Sequence, residues 1–483
     1  MTKKNIAIKI TLWTVLAALL LVAAYGAFLI WKVNETGNRI NAGAKKSSSV
    51  FDTVKNLANP DSSKLDGFAS GRINILLLGV AGAGKPGTNL TDTIMVASLN
   101  TKTDQVSLLS IPRDLYVQIP NATYQDKINT VYQYGLSQYP KDPEKSVEPL
   151  ESVVKNITSL DINYWVVMDF DGFRAAIDDI GGVNITNPRD INDPTYPGPN
   201  YSYEDFKLGK GFHHLDGAVA LKYARMRHDD PEGDFGRAKR QQQILQAAKN
   251  KIFSTGTFLN LPALNKLFDD LGDNIKTNIQ SDQFGNFVEL TKQLDTANIN
   301  NQVIDAWNPG SLLVVSHLQV GNMRAFILIP RIGIGNWTET RELAQNIFNT
   351  NAIAQKSQEI YAENAKVAVI NESGNATVLS RINSLLTQSF GYKNVAIITD
   401  PQKNLEEKST AYDLTNGAKP FTLNELVAKL PAAASYAPPE NFKTLTTKKN
   451  PDLILVIGQD LISKYGMAQD SFADYNNSNG ANE

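Results

Sequence analysis

The sequence predicts an α/β protein. Aliphatic runs of strand length recur from Ile73 onward, and amphipathic helical stretches separate several of them. A charge-free stretch near the N-terminus adds one membrane-spanning helix to this plan. The expected architecture is therefore a single-pass N-terminal helix, a mixed-sheet α/β domain of α-β-α type, and a smaller C-terminal α/β domain.

Taken in order, residues 1–9 form a basic tail and Ile10 to Trp31, "ITLWTVLAALLLVAAYGAFLIW", is long enough to cross about 30 Å of hydrocarbon. Lys3, Lys4 and Lys9 precede it, and Trp13 and Trp31 suit the two interfaces. The basic side stays in the cytoplasm, which puts the bulk of the chain outside. The apolar run exceeds a signal-peptide core, and no small-x-small cleavage site follows it. The expected location is a bacterial cytoplasmic membrane, with the N-terminus inside.

Residues 32–70 read as a polar spacer. The main domain, residues 71–338, begins with strands at Ile73–Val80, Ile94–Leu99 and Val106–Ile111. "INYWVVMDF" is a further strand, and "DGFRAAIDDIGG" is a short helix stopped by Gly181 and Gly182. "VNIT" is again a strand and "LDGAVALKYARMR" a helix. "GRAKRQQQILQAAKNKIF" is a long amphipathic helix with Ile244, Leu245, Ala248 and Ile252 on one side. Residues 339–364 read as a polar helical connector, 365–465 as the smaller domain opened by "AKVAVINESG", and 466–483 as a disordered tail.

Composition excludes several functions. There is no cysteine, so disulfides and thiolate chemistry are out. The net charge of −2 offers no general basic surface for nucleic acid. The four histidines are scattered without zinc-like spacing.

Gly79 to Lys85 spells G-x-x-x-x-G-K after an apolar strand, close to a nucleotide-binding loop. Such a loop requires Ser or Thr after the lysine and then a helix. Here Pro86-Gly87-Thr88-Asn89 follow, and "TIMVASL" is another strand, which argues against an NTPase.

Charge gathers in two segments. The first places Asp92 just before one strand and Arg113-Asp114 just after another, so Asp92 and Arg113 are expected on one sheet edge. The second, "YARMRHDDPEGDFGRAKRQQQ", packs Arg225, Arg227, Asp230, Asp234, Arg237, Arg240 and Gln241 into a short span. Arg237 and Gln241 share a helix face. Several permanent guanidinium charges beside carboxylates suit a phosphate or pyrophosphate with a divalent metal, although salt bridges among the same residues would leave the same pattern.

"TDTIMVASLNTKTDQVSLLSIPRDLYV", "DKINTVYQYG", "DFDGFRAAIDDIGGVNIT", "LDGAVALKYARMRHDDPEGDFGRAKRQQQIL" and "AVINESG", in this order, resemble the LytR–CpsA–Psr family with its LytR C-terminal module. The resemblance implies a membrane-anchored phosphotransferase. Such an enzyme moves a glycopolymer, such as teichoic acid or capsule, from an undecaprenyl-pyrophosphate carrier onto peptidoglycan. Its partners would be the polyprenyl-pyrophosphate-linked donor, the peptidoglycan acceptor and the membrane. It further implies Asp92 as a metal carboxylate for Mg2+ (or Mn2+), and Arg113, Arg225, Arg227 and Arg237 around the pyrophosphate. Asp234 and Gln241 match polar members of that pocket; Asp114, Lys127, Asn129 and Arg240 complete the implied substrate contacts.

Lys85 is a candidate contact to glycan or phosphate from the glycine-rich rim. The departure is at Gly79-Val80-Ala81-Gly82, where many relatives carry a second metal carboxylate. Either another acid replaces it, or pyrophosphate and water complete an open magnesium shell. Asp234 and Asp114 are both candidates for the general base. A polyprenyl-pyrophosphate hydrolase and a non-catalytic glycan-binding or attenuator protein are the alternative readings.

Overall fold

The computed structural model describes residues 60–465 apart from 199–201, 227–229, 232, 255–271, 273, 307–310, 321–322, 350 and 403. The expected spanning helix at 10–31 lies outside the described residues. Among those described, no helix is long and apolar enough to cross a membrane. The chain divides into two compact units. One comprises residues 60–110, 132–148 and 162–301; the other comprises 111–131, 149–161 and 302–465.

The first unit is built on a six-stranded sheet. Its strands are β1 (Arg72–Val80), β2 (Thr91–Asn100), β3 (Gln105–Ile111), β4 (Tyr164–Asp169), β5 (Ile275–Thr277) and β6 (Asp295–Val303), in the order β5-β4-β1-β2-β3-β6. β1 runs antiparallel to β2 and parallel to β4, so the sheet is mixed. The aliphatic run of β1 buries both faces: Ile73, Leu76 and Leu78 are almost fully enclosed.

The helices of this unit that bear on the site or the sheet are α1 (Phe170–Asp179), α2 (Gly217–Arg225), α3 (Asp234–Ser254) and α4 (Phe284–Gln293). Each forms where the sequence signals it. Asp169 caps α1 by accepting from the Gly172 amide at 2.8 Å, and Asp216 caps α2 by accepting from Val219 at 2.8 Å. Leu290 of α4 packs with Ile73, Leu99, Val106 and Tyr164 of the sheet. A second cluster joins Ile177 and Ile180 to Ala220, Tyr223, Met226 and Ile244, closing α1, α2 and α3 over the paired strands 183–187 and 211–215. Ile244 is enclosed, as the helical period predicts. Leu245 is 37% exposed, since the buried side of this helix runs through Ile244, Ala247 and Ala248 and leaves Leu245 at its margin.

The second unit has a five-stranded sheet of β7 (Lys366–Asn371), β8 (Asn394–Ile398), β9 (Thr410–Asp413), β10 (Ala433–Ser435) and β11 (Leu453–Ile457), ordered β8-β7-β11-β9-β10. The three strands expected from sequence, β7, β8 and β11, are mutually parallel. β9 enters antiparallel beside β11. Helices α5 (Thr338–Gln345) and α6 (Asn351–Glu363) occupy the polar connector of the sequence. Yet Glu339, Thr340, Ala344 and Ile360 along them are buried, as is Ile347 between them, so both helices contribute to this unit's interior. α7 (Ala376–Ser384) and α8 (Pro420–Lys429) complete the packing, with Val378, Ile382, Leu423 and Leu426 against the sheet.

Candidate functional site

The loop after β1 decides between the two readings of G-x-x-x-x-G-K. Residues 81–90 are turns that lead directly into β2, with no helix after Lys85. Gly82 sits at φ +90°, and a Cβ there would lie 2.9 Å from Oδ2 of Asp169, so only glycine fits this close approach. Lys85 does not reach across a phosphate cradle. Its Nζ pairs with Asp171 at 2.5 Å, and Asp171 also receives Arg174 at 2.9 Å. The nucleotide-loop resemblance is thus a matter of letters alone.

Asp92 is the second residue of β2. Its neighbourhood is irregular, because the β1–β2 register shifts between Gly79 and Val80. Such bulges re-aim side chains at strand ends. On the other side of β1, Val80 pairs with Asp169 of β4, which places that acid at the same end of the sheet.

Arg225 closes α2. Its guanidinium lies over the Phe170 ring at 4.3 Å and the Tyr196 ring at 5.6 Å, and it donates to the Tyr196 hydroxyl at 3.3 Å. Stacking on two aromatic faces fixes a planar cation without neutralising it, as an anion site requires. Burial raises the Tyr196 hydroxyl to about 12, against the opposing pull of Arg225. Arg237, on the first turns of α3, is 8% exposed and donates to the Asp92 carbonyl at 3.2 Å. Through that bond α3 is tied to the start of β2.

Arg240 is also 8% exposed, and its partners are internal. Its Nε donates to the Tyr223 carbonyl at 2.9 Å, one Nη donates to the Met226 carbonyl, and the other pairs with Asp230. Gln241 donates to the Ala224 carbonyl at 3.3 Å. Together these two side chains satisfy carbonyls at the C-terminal end of α2, where a helix leaves acceptors without intrahelical donors. Asp234 begins α3, but its side chain is outside the described residues, as is Arg227 altogether.

Asp92 and Arg113, expected on one sheet edge, belong to different units, Asp92 to the first and Arg113 to the second. Arg113, Asp114, Lys127 and Asn129 cluster in the second unit. Asp114 is 8% exposed and accepts from Lys127 Nζ at 2.6 Å, with Arg113 Nε 3.5 Å away. The Asn129 amide donates to the Arg113 carbonyl at 3.2 Å. Lys127 lies 5.9 Å from the Phe326 ring.

Sequence reasoning missed the aromatic supports of Arg225. Tyr196 is far from it in sequence and carries no local signal. Asp230 was visible within the charged segment, but nothing in its spacing separated it from its acidic neighbours.

The fold is mixed α/β, with Arg225 stacked on aromatic rings at the end of α2 and Arg237 on α3 tied to the start of β2. The LytR_cpsA_psr family matches residues 31–324, and the chain belongs to that family. Among curated relatives, the polyisoprenyl-teichoic acid–peptidoglycan teichoic acid transferase TagU of Oceanobacillus iheyensis is 35% identical over 212 residues. That match covers 44% of this chain and 60% of the relative. The protein of the same name from Enterococcus faecalis is 28% identical over 270 residues, covering 56% of this chain and 77% of the relative. The chain thus spans about 60% of the length of the first of these relatives. Of solved structures, Bacillus subtilis TagV is similar at 27% identity and a TM-score of 0.44, over 57% of this chain and 96% of TagV.

Proposed function

We propose that this chain is a membrane-anchored phosphotransferase that moves a glycopolymer from a polyprenyl-pyrophosphate carrier onto peptidoglycan. The observation that carries the reading is Arg225, a permanent cation held on two aromatic rings beside α3. Family membership and the names of the TagU relatives support the choice of donor and acceptor.

In this reading the pyrophosphate lies against Arg225 and Arg237, whose charges offset the negative charge spread over the transferred phosphorus. An acceptor hydroxyl on the muramic acid of peptidoglycan attacks the phosphorus on the sugar side. A new P–O bond forms, the bond to the second phosphate breaks, and polyprenyl phosphate departs with that electron pair. The hydroxyl proton passes to a carboxylate, for which Asp234 and Asp114 remain the candidates. The protein's contribution is orientation and charge, since phosphoryl transfer needs little covalent help from side chains.

Among the described residues no group of three or more acidic or imidazole side chains could enclose a metal. Mg2+ is commonly held by one or two carboxylates together with substrate phosphates. Asp92 would hold it, with Asp169 the acid nearest the position vacated by Ala81-Gly82; the ion would supply charge neutralisation at the phosphates.

The test is to incubate the membrane-embedded chain with lipid-linked oligosaccharide, peptidoglycan and Mg2+. Covalent attachment to peptidoglycan that is lost in a folded Arg225→Ala variant is the expected result. Release of phosphate without attachment would replace the reading with a hydrolase, and binding without turnover would replace it with a glycan-binding protein. Arg113, which the family resemblance also implicates, is tested by its own alanine substitution in the same assay.

A further inference from the structure

The second unit holds an acidic pair that the proposed transfer does not use. Glu372 directly follows β7, and Asp400 lies two residues beyond β8, so both stand at the C-terminal ends of parallel strands. Glu372 is 1% exposed, and neither of its carboxylate oxygens has a hydrogen-bond donor. Asp400 is 8% exposed; its Oδ1 accepts from the Gln402 amide at 2.8 Å, while Oδ2 is buried without a donor. The backbone is well ordered by comparison. The Glu372 amide donates to Ile457 at 2.9 Å, its carbonyl accepts from Glu406 at 3.0 Å, and Gln459 donates to Glu406 at 2.8 Å. The strand ends are therefore covered by the segment around residue 406.

Two buried carboxylates with three donorless oxygens cannot both stay ionised, because desolvation and mutual repulsion each disfavour the second charge. The charged groups that bear on Glu372 are Asp400 and Glu406, and both are acidic. Asp460, on the segment after β11, is engaged by the Ser409 amide and hydroxyl at 3.0 and 2.7 Å. The uncharged neighbours in its own loop, Asn371 and Ser373, hydrogen-bond to one another at 2.7 Å. No third metal-ligating side chain joins the pair among the described residues. What satisfies the geometry is a single proton.

We propose that Glu372 and Asp400 form a proton-binding site, a carboxyl–carboxylate pair that shares one proton and keeps the segment around residue 406 closed over the ends of β7 and β11. Glu372 donates and Asp400 accepts. Loss of the proton leaves two adjacent negative charges in an enclosed space, and the covering segment opens to admit water. Burial first, and then the Asp400 charge, raise Glu372 from 4.5 to about 7, so the change falls near neutral pH. The folded state then binds this proton about 300-fold more tightly than an ordinary glutamate does. The sign follows. The contribution is fully present below the unfolded value of 4.5 and is lost as pH rises through about 7.

The experiment follows amide hydrogen exchange of the full chain between pH 5 and 8.5, corrected for intrinsic exchange, in peptides covering residues 404–409 and 458–461. The wild type should lose about tenfold or more protection across that range. Glu372→Gln, which keeps one donor permanently, should stay flat and remain protected at the alkaline end. A protonated-carboxyl infrared band should be present in the wild type at pH 6 and absent from Glu372→Gln. The proposal is overturned by parallel pH profiles for wild type and Glu372→Gln. It is also overturned if 1 mM Ca2+ restores alkaline protection in the wild type alone, because the pair would then be a cation site. Should Glu372→Gln fail to fold, the wild-type infrared band decides by itself.

Discussion

Arg240 is the residue whose replacement best tests how the cation cluster is built. In Arg240→Met the aliphatic stem and most of the volume remain, while the guanidinium disappears. Asp230, whose side chain is 6% exposed, then loses its closest cation, with Arg189 farther off at 3.7 Å, and the Tyr223 carbonyl loses its 2.9 Å donor. Removing one member of a buried ion pair costs about 3–5 kcal/mol, mainly because the other charge stays enclosed. Expressed in the local opening of α2, that cost corresponds to roughly two to four powers of ten in exchange protection for residues 217–226.

The measurement is hydrogen exchange of the full chain, coupled to binding of a polyprenyl diphosphate. Binding should weaken in step with protection, since Arg225 ends the helix that Arg240 holds. Asp230→Leu combined with Arg240→Met removes both charges and should recover at least half of the loss. Less than a tenfold loss of protection in Arg240→Met, or a double variant no better than the single one, would refute the reasoning. An unchanged α2 with abolished binding would instead make Arg240 a direct ligand contact.

Three further substitutions have expected outcomes. Gly236→Ala should reproduce the loss of Asp230, because its Cβ would fall 1.9 Å from Asp230 Oδ2; circular dichroism and the same exchange peptides check this. Lys85→Ala should alter stability by no more than about 1 kcal/mol in chemical denaturation, since its pair with Asp171 is 33% and 42% exposed on the two sides. Glu339→Ala should cost the second unit about 3–5 kcal/mol, because it leaves Arg331 enclosed without the carboxylate that now meets it at 2.7 Å, while Lys429 keeps Glu425 at 2.7 Å. Burial pushes Glu339 up, but the Arg331 hydrogen bonds and the Lys429 charge prevail and hold it below 4.5. Its contribution is therefore complete above that value and fades as pH falls through the lowered one. An acid-unfolding titration in which wild type and Glu339→Ala converge at low pH checks the sign.

Much of the fold was legible because single-strand and single-helix signals are local. β1, β2, β4, β7 and β11 all fall on aliphatic runs, and α1 and α2 begin at the Asp residues that cap them. What local pattern could not supply was partnership across the chain. Glu339 reads as one acid in a polar helix. Its burial follows from Arg331 and from Lys429, which reaches it from α8. The Tyr196 ring likewise meets Arg225 through a hairpin whose own sequence gives no reason to expect it.

The arginines show the same limit within a single motif. Arg225, Arg237 and Arg240 lie within a short span and share one chemistry, so residue type and spacing could not sort them. Their surroundings do. Arg225 is stacked on the Phe170 and Tyr196 rings; Arg237 ties α3 to the Asp92 carbonyl; Arg240 is turned inward to the carbonyls that end α2. A guanidinium that saturates backbone acceptors and a buried acid has few donors left for a ligand, whereas one held by aromatic faces keeps its donors available. By that criterion Arg225 is the arginine with donors to offer a phosphate, and Arg240 holds the end of α2 from which Arg225 projects.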